Sequence, residues 1–218
     1  MPPELGPAET LADEAYRALR ADIIAGRRRP GERLRIERLR SLYEIGPTPL
    51  REALQRLCAE RLVETTGNRG FTVAPLDPDS FDDLNLARIV VESEALRLSI
   101  ARGGEAWEGA VASAAHLMRK ADAALGGDLD AWEGANRRFH RAMVAACGSD
   151  TLLRIRGDLH DLAERCRRAS VGDRHRARDL GAEHEAIAAA VLARDAEGAV
   201  ALTRRHFEAT AAGLRAGA

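Results

Sequence analysis

Residues 46–73 read GPTPLREALQRLCAERLVETTGNRGFTV, and the fold of the first third of the chain turns on them. Gly46-Pro47-Thr48-Pro49 breaks the chain, because proline disfavours helix at the residue before it and suits the first helical turn itself. Thr48 is expected to cap the helix that follows, with Pro49 at its first position. That helix should run to about Arg61, burying Leu50, Ala53, Leu54 and Leu57 while Arg51, Gln55 and Arg56 lie elsewhere on its surface. Beyond it, two β-type runs beginning at Leu62 and Phe71 flank Gly67-Asn68-Arg69-Gly70, the pattern of a hairpin.

Upstream, Thr10 is positioned to cap a first helix whose apolar residues Leu11, Ala15, Leu19, Ile23 and Ile24 recur at helical spacing until Gly26. Arg27 to Gly31 reads as a turn, and Ile36, Leu39 and Leu42 share one face of a short helix over 36–43. Downstream, Pro75-Leu76-Asp77-Pro78 ends the unit, and from Asp79 onward there is no further proline and no convincing strand signal. Helical segments are predicted near 79–102, 105–125, 128–147, 149–169, 177–193 and 195–214, which pack most economically as an antiparallel bundle. The expected fold is therefore mainly α: a winged helix-turn-helix domain over 10–75, then an all-α antiparallel helical bundle over 79–216.

Charge divides along the same line. Between Arg17 and Arg69 stand 13 arginines against 7 acids, a local balance of +6, while the whole chain carries −1. A basic module made for a polyanion, joined to an acidic module with another task, accounts for the asymmetry. Cys58, Cys147 and Cys166 are odd in number and lack CxxC spacing, which argues against a disulfide framework or cysteine zinc ribbon and fits a reducing cytoplasm. No apolar run approaches the ~20 residues of a membrane span, and the first residues lack the features of a signal peptide.

Three helices followed by a hairpin suit double-stranded DNA, the third helix entering the major groove and the preceding one crossing the backbone. Arg51, one turn into the third helix, is the candidate base or phosphate contact. Thr48 can donate to phosphate at the helix start, Arg38 and Arg40 are candidate backbone contacts, and Arg69 at the hairpin tip can reach a minor groove or phosphate. The string Gly26-x3-Pro30-Gly31-Glu32-x-Leu34, then Thr48-Pro49-Leu50-Arg51-Glu52-Ala53-Leu54-x-Arg56-Leu57-x2-Glu60-x-Leu62-Val63, then Asn68-Arg69-Gly70-x2-Val73 resembles the N-terminal domain of GntR-family transcriptional regulators. The helical remainder is similar to the effector domain of the FadR subgroup, the FCD domain. Against the family pattern, Glu44 and Arg61 stand where glycine is usual, and Pro47 and Gly46 where an Arg and a Ser often precede the Thr-Pro pair.

Three histidines fall on apolar stripes of different predicted helices: His140 with Trp132, Ala135, Phe139 and Met143; His184 with Leu180, Ile187, Ala188 and Val191; His206 with Leu202 and Ala209. Each ring alone could be satisfied by a backbone carbonyl or water, but burying three titratable rings without a shared purpose is costly. Asn136 lies one turn before His140 and projects from the same face. The resemblance implies a metal site on these positions, Asn136, His140, His184 and His206, with Asn136 standing where the family keeps an Asp. An amide oxygen brings no charge, so the expected site is weaker or relies on an anionic effector; imidazole-rich ligation suits a divalent transition metal, Zn, Ni or Cu, with Zn and Ni first. His116, His160 and His175 are expected to be ordinary surface or packing residues. Arg88 has two readings: a helix-surface pair with Glu92 at i, i+4, or, as the resemblance implies, an arginine that binds a carboxylate effector beside the metal.

The sequence thus points to a homodimeric regulator that reads a short inverted repeat and responds to a small carboxylate. The rival class is a metal-dependent enzyme using the histidine cluster. It leaves the arginine bias and the hairpin unexplained, and the chain has no nucleophile elbow, phosphate loop or HExxH signature.

Overall fold

The computed structural model describes residues 10–67, 70–124, 127–169 and 178–215. The chain divides into two compact units, Met1–Leu76 and Asp77–Ala218. In the first, α1 (Leu11–Ile24), α2 (Ile36–Tyr43) and α3 (Pro47–Ala59) precede a hairpin of β1 (Val63–Thr66) and β2 (Gly70–Val73). The second holds α4 (Pro78–Arg102), α5 (Glu105–Ala123), α6 (Leu129–Val144), α7 (Asp150–Ala169), α8 (Leu180–Leu192) and α9 (Ala196–Arg215). The fold is a winged helix-turn-helix followed by a helical domain.

Thr10 caps α1 through a reciprocal box with Asp13, whose backbone N–H donates to the threonine hydroxyl while its carboxylate accepts from the Thr10 backbone. The buried face of α1 is Ala12, Ala15, Leu19, Ile23 and Ile24; Leu11, expected among them, is exposed. Of the expected face of α2 only Leu39 is buried, and Leu42 stands exposed. The start of α3 also differs from expectation. Gly46 is the N-cap and Pro47 the first helical residue, so Thr48 sits inside the first turn and makes no cap bond. Pro47 has no N–H to lose there and its ring presets φ, which moves the helix start two residues upstream of the expected Pro49.

The hairpin pairs antiparallel, Val63 opposite Val73 and Thr66 opposite Gly70. Sequence patterning missed a third partner: Gly31 donates to the Val73 carbonyl at 2.9 Å, and Leu34 to that of Phe71 at 2.8 Å. Arg33 thereby forms an isolated antiparallel bridge with Thr72, which ties the α1–α2 loop to the hairpin without adding a strand. Glu44 and Arg61, the two departures at glycine positions, both adopt left-handed backbone, with φ of 56° and 58°. That conformation explains why glycine suits these turns.

The core of the helical unit runs from Ala95, Leu96 and Ile100 on α4 through Trp107 and Met118 on α5, Phe139 and Met143 on α6, and Ile187 and Val191 on α8. α7 is different. It buries Arg156, His160, Asp161, Glu164, Arg165 and Arg167, with Ala163 as its fully buried apolar residue, so one wall of the domain is polar.

Candidate metal centre and nucleic-acid interface

In the winged unit, arginines sort into those the fold uses and those it leaves to solvent. Arg20 donates to Glu60 at 2.9 Å, Arg28 to Glu32 at 3.1 Å, and Arg56 to Asp13 at 2.8 Å while stacking over Tyr16 at 4.1 Å. Arg38 on α2 and Arg51 on α3 are exposed and carry no ion pair among the described residues. Arg40 is exposed and only loosely associated with Glu37, at 3.9 Å. Thr48 is exposed in the first turn of α3, where its hydroxyl, its own backbone N–H between two prolines that have none, and the helix dipole favour an anion. Arg69 lies outside the described residues, as does His175.

In the helical unit, the ring nitrogens of His140, His184 and His206 supply ligand atoms within 4.8 Å of one another, and all three residues are buried. They come from α6, α8 and α9, brought together because each apolar stripe packs inward. Their rings contact one another, with centroids 5.5 Å apart for His140 and His206 and 4.9 Å for His184 and His206. Among the described residues, both nitrogens of His140, Nε2 of His184 and Oδ1 of Asn136 are buried without a hydrogen-bond partner. Unsatisfied buried groups cost about 1–3 kcal/mol each, so several converging here fit a site built to hold something. Three imidazoles and an amide oxygen form a donor set suited to a divalent transition metal.

The other ring nitrogens are engaged. His184 Nδ1 donates to Asp122 and His206 Nδ1 to Glu183, both at 2.7 Å. His140 has no such holder, its Nδ1 standing 3.7 Å from Oε1 of Glu92. Burial, reinforced by the neighbouring His206 and His184, holds the His140 imidazole well below its usual range. Burial likewise takes His206 down to about 4, against the pull of Glu183. Glu183 is raised by burial but lowered further by His206 and Arg178, to about 2. The His140 and His206 rings are therefore neutral at pH 7, the form a metal requires.

Arg88 settles into neither surface pairing nor solvent. It is 5% exposed, with its guanidinium 4.0 Å over the Phe207 ring and Nη1 buried without a hydrogen-bond partner among the described residues. Its expected helix partner, Glu92, pairs instead with Arg156 through two contacts at 2.8 and 3.3 Å. Burial and the like charge of Arg167 bring Arg88 down to about 9. Together with Asn136, His140 and His206 it lines a cavity of only about 10 Å³, roughly the room of one water. A larger cavity of about 230 Å³ lies between α5 and α8, but it is walled largely by alanines and touches the cluster only through His184.

His160, expected to be an ordinary surface or packing residue, is 2% exposed and has no hydrogen-bond partner on either ring nitrogen among the described residues, its centroid 6.3 Å from that of His140. Its helix is too polar for an inward face to be read from apolar spacing. His116 is exposed, as expected. Asp122 and Glu183 were also missed. Only the adjacency of Glu183 to His184 gave a signal, since Asp122 reaches the site from another helix.

A winged helix-turn-helix with unpaired arginines on its surface, followed by a helical domain enclosing a polar pocket, defines a DNA-binding transcriptional regulator with an effector domain. Residues 11–73 match the family of bacterial regulatory proteins named gntR, and residues 83–209 match the FCD domain. The chain belongs to the GntR family and carries an FCD domain, a type of domain known to bind metals. It is 42% identical over 200 residues to the HTH-type transcriptional repressor GlaR of Escherichia coli K12, covering 89% of this chain and 91% of that one. It is 38% identical over 218 residues to the HTH-type transcriptional regulator BphR of Paraburkholderia xenovorans LB400, covering 98% and 89%. In fold it is similar to E. coli McbR/YncC, with a TM-score of 0.79 at 20% identity over 95% of this chain and 98% of that one. The two curated relatives are named as regulators of transcription, and the family match makes this chain a transcriptional regulator rather than an enzyme. Among the described residues no helix is long and apolar enough to cross a membrane.

Proposed function

We propose that this protein is a cytoplasmic, ligand-responsive regulator that binds a short inverted repeat in double-stranded DNA as a homodimer, and whose DNA affinity changes when a small carboxylate enters the helical domain. The observation that carries this reading is the convergence of three buried imidazoles beside Arg88, whose Nη1 has no hydrogen-bond partner among the described residues. Asn136, His140, His184 and His206 would hold a divalent transition metal, Zn or Ni, which when bound supplies positive charge to an anionic effector. Arg88 presents a planar fork for the same carboxylate. The cavity of about 10 Å³ has room for about one water, so its lining must open, by side-chain or helix movement, to admit a carboxylate. A ligand that binds only the opened arrangement shifts the population toward it, which is what an effector needs in order to act.

On the DNA side, a winged helix reads only a few base pairs, so two copies on an inverted repeat supply the affinity and specificity. Arg51, Thr48, Arg38 and Arg40 are assigned to DNA on their exposure, and Arg69 on its place in the sequence. Arg51→Ala is expected to cost about 1–3 kcal/mol on the operator while barely changing binding to random DNA. Arg38→Ala should weaken all sequences alike and lower the salt slope by about one. Titrations of both variants on operator and random duplexes at several salt concentrations decide the matter. Equal losses on the two duplexes for Arg51→Ala would remove it as a base reader, and a monomer on the operator would end the dimer reading.

A metal bound by groups on α6, α8 and α9 links helices distant in sequence, so it should stabilise the domain in proportion to occupancy. At one hundred times the dissociation constant the gain is ~2.7 kcal/mol, visible as a rise in melting temperature. His184→Ala is expected to abolish that rise. If thermal melting with Zn or Ni shows the same rise in the variant as in the native protein, the ligand assignment is wrong.

A further inference from the structure

Two of the three imidazoles are held from behind by residues outside the ligand set. His184 on α8 donates its Nδ1 proton to Oδ2 of Asp122 on α5, at 2.7 Å, and Oδ1 of Asp122 accepts from Nε1 of Trp132 at 2.9 Å. The Asp122 side chain is 5% exposed, so this contact lies inside the protein. His206 on α9 donates its Nδ1 proton to Oε2 of Glu183 at 2.7 Å. Glu183 is itself gripped by Arg178, through Nε at 3.1 Å and Nη2 at 2.5 Å. The same guanidinium donates to the His206 carbonyl at 3.2 Å and to Oγ1 of Thr210 at 3.1 Å, tying ring and backbone of that residue to one cation. With Nδ1 committed to a carboxylate, each ring keeps Nε2 as the nitrogen with a free lone pair.

Asn136 and three imidazoles bring no negative charge to a divalent ion, whereas Asp122 and Glu183 place two carboxylates directly behind the ligating rings. On the reading that the cluster holds a metal, we infer that Asp122 and Glu183 are its positioning residues, fixing the tautomer and aim of His184 and His206 and supplying the charge that Asn136 lacks. The ion then binds without an anionic effector to complete its shell. This reverses the expectation from the Asn136 substitution alone.

The test is a Co²⁺ titration of the metal-free, full-length protein in non-coordinating buffer, followed by visible absorption and chelator competition, with and without acetate. The native protein is expected to bind one Co²⁺ per chain with no acetate present. Asp122→Asn keeps an acceptor for His184 but removes its charge, and Glu183→Gln does the same for His206. Each should weaken Co²⁺ by about 10–100-fold and move its absorption bands, a change that a purely structural role would not produce. Melting of the metal-free variants checks their folding. Glu183 is half-buried rather than buried, so Glu183→Gln carries the test should Asp122→Asn fail to fold. Native binding with both variants inside twofold and bands unmoved overturns the positioning role and leaves the metal reading intact. Native binding only when acetate is added overturns the charge argument. No binding under either condition overturns the metal reading and this inference with it.

Discussion

Arg156→Ala is expected to destabilise the helical domain by about 3–5 kcal/mol, because it strands a buried anion. Arg156 on α7 reaches Glu92 on α4 through Nε at 2.8 Å, and the two side chains are 6% and 5% exposed. With the guanidinium gone, the Glu92 carboxylate keeps the imidazole of His140 at 3.7 Å, a ring held neutral by its own burial, and the more distant charge of Arg88, which forms no ion pair with it among the described residues. The carboxylate must then stay charged in a poor medium or take up a proton. Replacing both partners by apolar residues of similar volume, Glu92→Leu with Arg156→Met, should recover most of the loss, since a buried pair offsets little more than its own desolvation. Calorimetric unfolding of the two proteins tests this. A loss below about 1 kcal/mol for Arg156→Ala would mean that water reaches Glu92 and that the polar wall of α7 is hydrated.

The second large effect is with pH. His140, His160 and His206 are each pushed down, chiefly by burial, His206 to about 4. In the unfolded chain the same rings take up protons near pH 6.5. Below that pH the unfolded state therefore binds more protons than the folded one, and stability falls with decreasing pH until the folded values are reached. Each ring contributes ~1.4 kcal/mol per pH unit, so three together give a slope of up to about 4 kcal/mol per unit between pH 5.5 and 4.5. Glu183 acts lower. Held at about 2 in the folded state, it withdraws its contribution only as pH drops below the ordinary carboxylate range. Denaturant titrations of metal-free protein across pH 4.5–7.5 measure the slope, and His160→Gln should lower it by about 1.4 kcal/mol per unit. An unchanged slope in that variant would mean that His160 is protonated in the folded protein.

How much of this was legible beforehand depended on the kind of signal. Helix period revealed α4 to α9 and placed His140, His184 and His206 on inward faces, because an apolar stripe with one imidazole on it has only one side to bury. Proline and glycine marked the turns, although Thr48 as the cap of α3 was wrong, since Pro47 was already competent to begin the helix. Arg88 was undecided, because a cation at i, i+4 from a glutamate is compatible with a surface pair. Packing resolved it: Glu92 turned to Arg156, and Arg88 was left over the Phe207 ring.

What remained hidden was hidden for one physical reason. Periodicity and local chemistry act within about one turn of helix or one pair of strands, and they set the elements, their inward apolar faces and the basic and acidic halves of this chain. Contacts spanning many residues are not written in any local pattern. The pairing of Gly31 and Leu34 with β2 depends on the α1–α2 loop arriving beside the wing, and the Asp122–His184 bond on α5 and α8 lying side by side. α7 is the clearest case: its sequence is polar on most sides, yet the domain buries six of its charged or imidazole side chains. Only the surrounding helices, by supplying Glu92, Glu133 and Arg137 as partners, could make that burial tolerable.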